Sequence, residues 1–368
     1  MSKAVEGTMR TLLVLSVVGI LLPGVASGQQ SPEGTTPGVV ASSRVEMQEL
    51  KAAASSSSPL LQQTPAAPRP VPTRRRRGSM VGYIEDATIE SKVRLRFDTA
   101  SHDTVPDRAE FFYAKCGCYS GLPHNDPAFD PDAPGPQPGA ANDVNFRQLF
   151  LEGEYAVDPR ISIFGQIPIR WLLPQSFIPG TGGSFPNQTG FGDVRLGVKL
   201  GAVDSDVAAL TAKVQLYLPT GDAAKGLGTD HASVEPAVLY QQQLSNIVTL
   251  ESEVGVWLPI GGAAPVPTHA DGKFAGTVLF YGIGPSFTVY ETDRVQVAPV
   301  IELVGWRVRD GNQTSAEGSD ASGTNIVNLK IGARAIFGQG SVYAGYGHAL
   351  TDQDWYDNIF RVEYRHSF

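Results

Sequence analysis

Cysteine is nearly absent from this 368-residue chain: two residues, Cys116 and Cys118, which is too few for a disulfide framework. Charge is sparse as well, at 18% of residues, and its balance is acidic, with a formal net charge of -8. That balance gives no basic surface for a nucleic-acid partner. No run of 18 apolar residues occurs, and the longest, Leu12 to Leu22 near the N-terminus, is too short to span comfortably, so no transmembrane helix is expected. That does not exclude membrane strands, which are short and only half apolar. Enzyme signatures are missing too: no HExxH, GxSxG or P-loop pattern occurs, and the six histidines form no ligand pair at helical spacing. Cys116-Gly117-Cys118 lacks the second half that a zinc site needs, which favours a structural role for the pair. No cofactor and no metal are expected.

Glycine (40) and proline (27) are plentiful, as tight turns between strands require. At the N-terminus, Lys3 and Arg10 precede an apolar run from Leu12 to Leu22, followed by Pro23-Gly24-Val25-Ala26-Ser27. A basic head, a short apolar centre and small residues at the end predict a cleaved export signal over residues 1–27. Residues 28–84 are rich in Ser, Pro, Ala, Thr and Gln and predict a disordered arm, because they bury too little to offset chain entropy. Near its end lies Arg74-Arg75-Arg76-Arg77, read as a solvated charge run rather than a contact for anionic lipid.

From residue 85 to 368 the chain reads as one β domain. Val93, Leu95 and Phe97 alternate with Lys92, Arg94, Arg96 and Asp98, the period-two pattern of a strand with one apolar and one wet face. The pattern recurs near 144–157, 160–171, 190–201, 206–218, 232–243, 246–258, 276–290, 293–308, 325–337, 340–349 and 357–368. Connections between these runs are alternately very short, as at Asp158-Pro159 and Gly338-Gln339, and long, as at 100–143 and 259–275. Turns sorted in this way to one side and loops to the other predict an all-β fold: an antiparallel up-and-down outer-membrane β-barrel of about 12 strands.

The last run, Phe360 to Phe368, stops on phenylalanine and looks like the terminal signal read by the bacterial barrel-assembly machinery, with His366 a departure from it. If Phe368 faces lipid, alternation turns Arg361, Glu363 and Arg365 into the lumen. The same parity sends Lys92, Arg94, Arg96, Asp193, Arg195, Lys199, Glu251, Glu253, Lys330 and Arg334 inward, since a basic residue on the lipid face costs about 2–4 kcal/mol near mid-bilayer. Opposed charges there predict either an ion-pair lattice or the lining of a small pore. Aromatics near the predicted strand ends, among them Phe146, Trp171, Tyr217, Tyr240, Trp257, Tyr290, Trp306, Tyr343, Trp355 and Tyr356, suggest girdles at the two interfaces. Asp222, Asp230 and His231 sit in one long loop with no nucleophile arrangement, and are read as loop polarity rather than a catalytic set.

Gly192-Asp193-Val194-Arg195-Leu196-Gly197-Val198-Lys199, Leu218-Pro219-Thr220-Gly221-Asp222 and Gly226-Leu227-Gly228-Thr229-Asp230 together resemble the outer-membrane family named for the meta-pathway of phenol degradation. Ser91 to Asp98, Arg108 to Cys118 and Trp355 to Phe368 look like a planctomycete-type subset of exported signal-peptide and transmembrane proteins. The resemblance spans about residues 90–368 and implies an outer-membrane location after export, with uptake of small solutes, aromatic ones included. It carries over no binding residues. Physically, Pro219 ends a ladder and the glycines that follow make a permissive, mobile loop. The expected function is a non-enzymatic channel or transporter for small aromatic or hydrophobic solutes, with lipid, the assembly machinery and the solute as partners. A non-conducting structural or surface-interaction barrel is the alternative.

Overall fold

The computed structural model describes residues 78–106, 115–263, 273–314, 319–352 and 354–368. The expected signal over 1–27, the arm up to residue 77 and Arg74 to Arg77 lie outside these residues. Twelve antiparallel strands form a closed barrel. They are β1 (Lys92–Asp103), β2 (Ala141–Asp158), β3 (Ile161–Phe177), β4 (Gln188–Phe191 and Val194–Asp204), β5 (Ala208–Leu218) and β6 (Ala232–Gln243). The second half comprises β7 (Val248–Ile260), β8 (Val278–Phe287 and Tyr290–Glu291), β9 (Val295–Val308), β10 (Asn325–Phe337), β11 (Gly340–Ala349) and β12 (Asn358–Ser367).

Each strand pairs with its neighbours in sequence, and β12 closes the ring on β1, with Lys92 opposite Ser367 and Phe97 opposite Val362. Closure removes the two exposed edges that an open sheet would present. A final bond from the Phe368 amide to the Ser91 carbonyl (3.0 Å) seals the seam at the short-turn end.

Burial in this wall is inverted relative to a soluble protein. Leu151, Ile163 and Ile331 are about half exposed, whereas Lys92, Lys199, Lys330, Arg334 and Glu363 are at most 1% exposed. The alternation that puts β-branched and aromatic residues outside therefore fits the exterior to hydrocarbon and gathers the charges inside.

The lumen is not filled by the wall alone. Residues 79–88, ahead of β1, run inside the barrel as an irregular strap, with Met80, Val81, Ile84, Asp86 and Ala87 all buried. The sequence reading extends the arm to residue 84, and here its last residues depart from that expectation. Met80, Val81, Tyr83 and Ile84 are an apolar island in a polar stretch, and Val81, Tyr83 and Ile84 find apolar partners in Val300, Val304 and Tyr343 of the wall. At Gly82 the strap leaves no room for a side chain: a Cβ there would overlap the Tyr343 ring.

At the opposite end all six long loops turn over the mouth. Cys116, Tyr119, Phe185, Leu227, Phe274, Ala321, Trp355 and Tyr356 bury one another there in a single apolar cluster. Cys116 and Cys118, within the first of these loops, are disulfide-bonded to each other.

Candidate functional site

Polar groups of the wall hold the strap by its backbone. The Glu302 carboxylate of β9 accepts the amides of Gly82 (3.1 Å), Tyr83 (2.8 Å) and Ile84 (2.8 Å), together with the Tyr343 hydroxyl (3.2 Å). Glu251 of β7 accepts the Met80 amide at 2.8 Å, and Glu253 accepts the Glu85 amide at 3.0 Å. The strap's carbonyls face cations: Arg334 donates to Val81 O (2.7 Å), Arg361 to Gly82 O (2.6 Å), Arg365 to Val81 O (3.2 Å) and Lys199 to Asp86 O (3.0 Å). A segment without secondary structure must find partners for its buried amides and carbonyls, and the wall charges supply them.

The strap's own carboxylates complete the arrangement. Asp86 pairs with Lys92 (2.8 Å) and Arg365 (3.3 Å), and Glu85 with Arg94 (3.2 Å) and Lys199 (3.4 Å). Burial alone would raise the Asp86 carboxyl, but Lys92, Arg365 and Lys199 outweigh it and hold the group well below the usual carboxylate range. Glu363 binds Arg334 (2.7 Å) and Arg365 (2.5 Å), which fixes two of the strap's cationic donors. Arg94 also meets Glu152 of β2.

Between strap and mouth cluster lies a chamber of about 250 Å³. Tyr83 and Glu85 of the strap form its floor, Trp355 and Tyr356 part of its roof, and Arg96, Phe150, Arg195 and Trp257 part of its wall. Lys330 stands beside it, donating to the Tyr356 hydroxyl (2.7 Å) with its ammonium 4.4 Å from the ring centres of both Tyr83 and Tyr356.

The sequence-derived lumen set is thus distributed over three positions. Lys92, Arg94, Lys199, Glu251, Glu253, Arg334, Arg361, Glu363 and Arg365 hold the strap directly or hold a residue that does. Arg96 and Arg195 face the chamber and Lys330 stands beside it, with Glu253 and Arg361 also on the lining. Asp193 does neither. It sits at the break in β4 and accepts the amides of Gly221 and Thr229 (both 2.9 Å) and the Thr229 hydroxyl (3.1 Å). The loop expected to be mobile is therefore pinned to the wall, and Arg170 adds a bond to Leu227 O at 3.1 Å.

Sequence reasoning missed Glu302, Tyr83 and the strap itself. Glu302 carried a signal, standing between outward Ile301 and Leu303. The expected girdles also need correction, because Phe146, Trp257 and Tyr343 are buried on the inner face of the wall and Trp355 and Tyr356 in the mouth cluster. Asp222 pairs with Lys225 (2.8 Å), and His231 is buried against Thr229 O (2.7 Å) and the Trp257 ring. Among the described residues no cluster of candidate metal ligands occurs.

Residues 141–257, from β2 to β7, match the family model described as "Putative MetA-pathway of phenol degradation". This segment contains the Gly192–Asp230 marks on which the resemblance was drawn. No curated protein matches the chain. Among solved structures, an outer membrane channel from Pseudomonas putida F1 is 13% identical with a TM-score of 0.47, over 78% of this chain and 99% of that one. The β domain of the Bordetella autotransporter BrkA is 15% identical with a TM-score of 0.43, over 76% and 100%. The translocator domain of the autotransporter NalP from Neisseria meningitidis is 11% identical with a TM-score of 0.42, over 76% and 88%.

Proposed function

We propose that this twelve-stranded barrel is an outer-membrane channel for small solutes, held closed in the present conformation by its own N-terminal strap. The observation that carries the reading is the way the lumen is filled. Wall side chains alone can pack the interior of a small barrel. Here much of the filling is a separate segment, tied by hydrogen bonds and ion pairs that water can replace. Withdrawing that segment leaves the strand ladder intact.

Aromatic rings around the chamber, Phe146, Phe150, Trp257, Trp306 and Tyr356 among them, favour flat or hydrophobic solutes, in keeping with the label of the matched family. The apolar exterior supports a place in a bacterial outer membrane after export, with lipid around it. The outward row of Phe360, Val362, Tyr364 and Phe368 on the closing strand supports recognition by the assembly machinery. Covered as it is at both ends, the barrel also admits the alternative of a non-conducting scaffold.

Liposome swelling separates the two readings. Full-length protein and a variant lacking residues 78–90 are reconstituted side by side, each checked by heat-modifiable migration. Solute entry that is slow with the full chain and fast with the shortened one is the expected result. Folded barrels that pass no solute in either form would refute transport and leave the scaffold.

A further inference from the structure

The charges of the chamber wall do not all find partners. Asp98 is occupied by both bonds from Arg361, at 2.7 and 2.8 Å. Glu235 takes the Lys213 ammonium (2.8 Å) and the Tyr217 hydroxyl (2.5 Å). Arg195 receives none of these carboxylates: among the described residues no acid stands within ion-pair distance of it. Its guanidinium lies 4.6 Å from the Tyr217 ring centre and 5.3 Å from that of Phe150, and its Nε is buried without a hydrogen-bond partner.

Arg96 approaches the same Phe150 ring at 4.0 Å. The carboxylate beside it, Asp98 at 3.5 Å, is the one already claimed by Arg361, and the Arg96 Nε is again without a hydrogen bond. A third unspent donor, the Trp257 indole N–H, is buried next to Tyr217, with the two rings edge to face at 6.4 Å. Among the fully buried chamber atoms without a partner, one acceptor, Gln166 Oε1, stands against these three donors. Unsatisfied buried donors are uncommon, and a group of them around one cavity calls for an acceptor that fills it.

We propose that the chamber is a binding site for a small organic carboxylate. The carboxylate sits between Arg96 and Arg195, whose planar forks match it, and its flat apolar body lies against Tyr217 and Trp257. At about 250 Å³ the cavity suits a single ring rather than a fused system. This deepens the channel reading, on which it rests for the solute's route to the site. It also sharpens the solute class from aromatic to anionic: the donors would reject a neutral ring of equal size, which leaves the guanidinium pair unneutralised.

The test is calorimetric titration of the detergent-solubilised full chain with benzoate and with its neutral counterpart benzamide. Benzoate is expected to bind saturably and benzamide at least about tenfold more weakly, the loss of one charge-assisted pair. Arg195→Gln and Arg96→Gln should each weaken benzoate by about tenfold or more and leave benzamide unmoved, with Arg195→Lys recovering part of the loss. Both variants must keep heat-modifiable migration, and two independent positions guard against a folding artefact at either. Equal affinity for benzoate and benzamide, or an unchanged benzoate isotherm in both Gln variants, would overturn the site. Inorganic phosphate competing as well as benzoate would overturn the part of the proposal that assigns an organic body. Because binding is read without conduction, a barrel that binds benzoate but passes nothing would sink the channel reading and spare this one.

Discussion

Replacing Glu302 with alanine strikes the point at which the strap is most heavily held. The carboxylate is fully buried and accepts three consecutive strap amides at 2.8 to 3.1 Å. Hydrogen bonds to a charged group contribute about 1.5–3 kcal/mol each, and a buried amide left without a partner costs about 1–3 kcal/mol. Discounting for relaxation and for water entering the vacated space, the closed form should lose on the order of 4–6 kcal/mol relative to the withdrawn form. A change of about 5.5 kcal/mol carries a two-state equilibrium from 1:99 to 99:1, so the variant should pass from mostly closed to mostly open. In planar bilayers E302A is expected to show long-lived conducting levels where the wild type shows brief or rare ones. Limited proteolysis of the folded barrel should cut near residues 79–88 only in the variant. Glu302→Gln, which retains one acceptor oxygen, should fall between them. If E302A matches the wild type in both conductance and protection of the strap, then Glu302 does not hold the lumen shut and the strap is a static filler.

Acid should release the strap as well. The Asp86 carboxyl is held below its unfolded value, so its stabilisation is complete above the ordinary carboxylate range of about 4 and is lost progressively as pH falls below it. Conductance or strap proteolysis should therefore rise on acidification, and Asp86→Asn should show that rise already at neutral pH. Asp193→Ala should free the loop between β5 and β6, so that trypsin cuts faster at the already exposed Lys225 while the boiled-versus-unboiled gel shift stays as in the wild type. Leu151→Arg, on the outer face of β2, should cost about 2–4 kcal/mol in urea titrations of refolding into bilayers, if that position lies near the midplane.

Strand parity was legible in the sequence because hydrocarbon outside and paired charge inside leave each strand no freedom of facing. That single rule already contained an answer which the aromatic positions obscured. Glu251 and Glu253 point inward, and two further steps of two reach Trp257, which is buried inside the barrel. Nearness to a strand end suggested an interface instead, and parity was the better guide. Asp193 shares its parity with Arg195 and Lys199, but the break in β4 beside it directs its carboxylate to the loop that follows β5, which no period reveals. The strap left still less trace. It has no repeat of its own, and residues that hold it stand as far off in the chain as Arg365 does from Asp86. Only its composition, an apolar Met80-Val81 and Tyr83-Ile84 in a polar stretch, set it apart from the arm.

The groups that grip the strap come from β4 (Lys199), β7 (Glu251), β9 (Glu302), β10 (Arg334) and β12 (Arg361 and Arg365). They converge only when β12 has zipped onto β1. During assembly, the strap therefore has nowhere to dock until the ring is complete, and its docking timestamps the final step of ring formation. A protease cleavage that disappears from residues 79–88 during folding would serve as a clock for that event, read independently of strand formation.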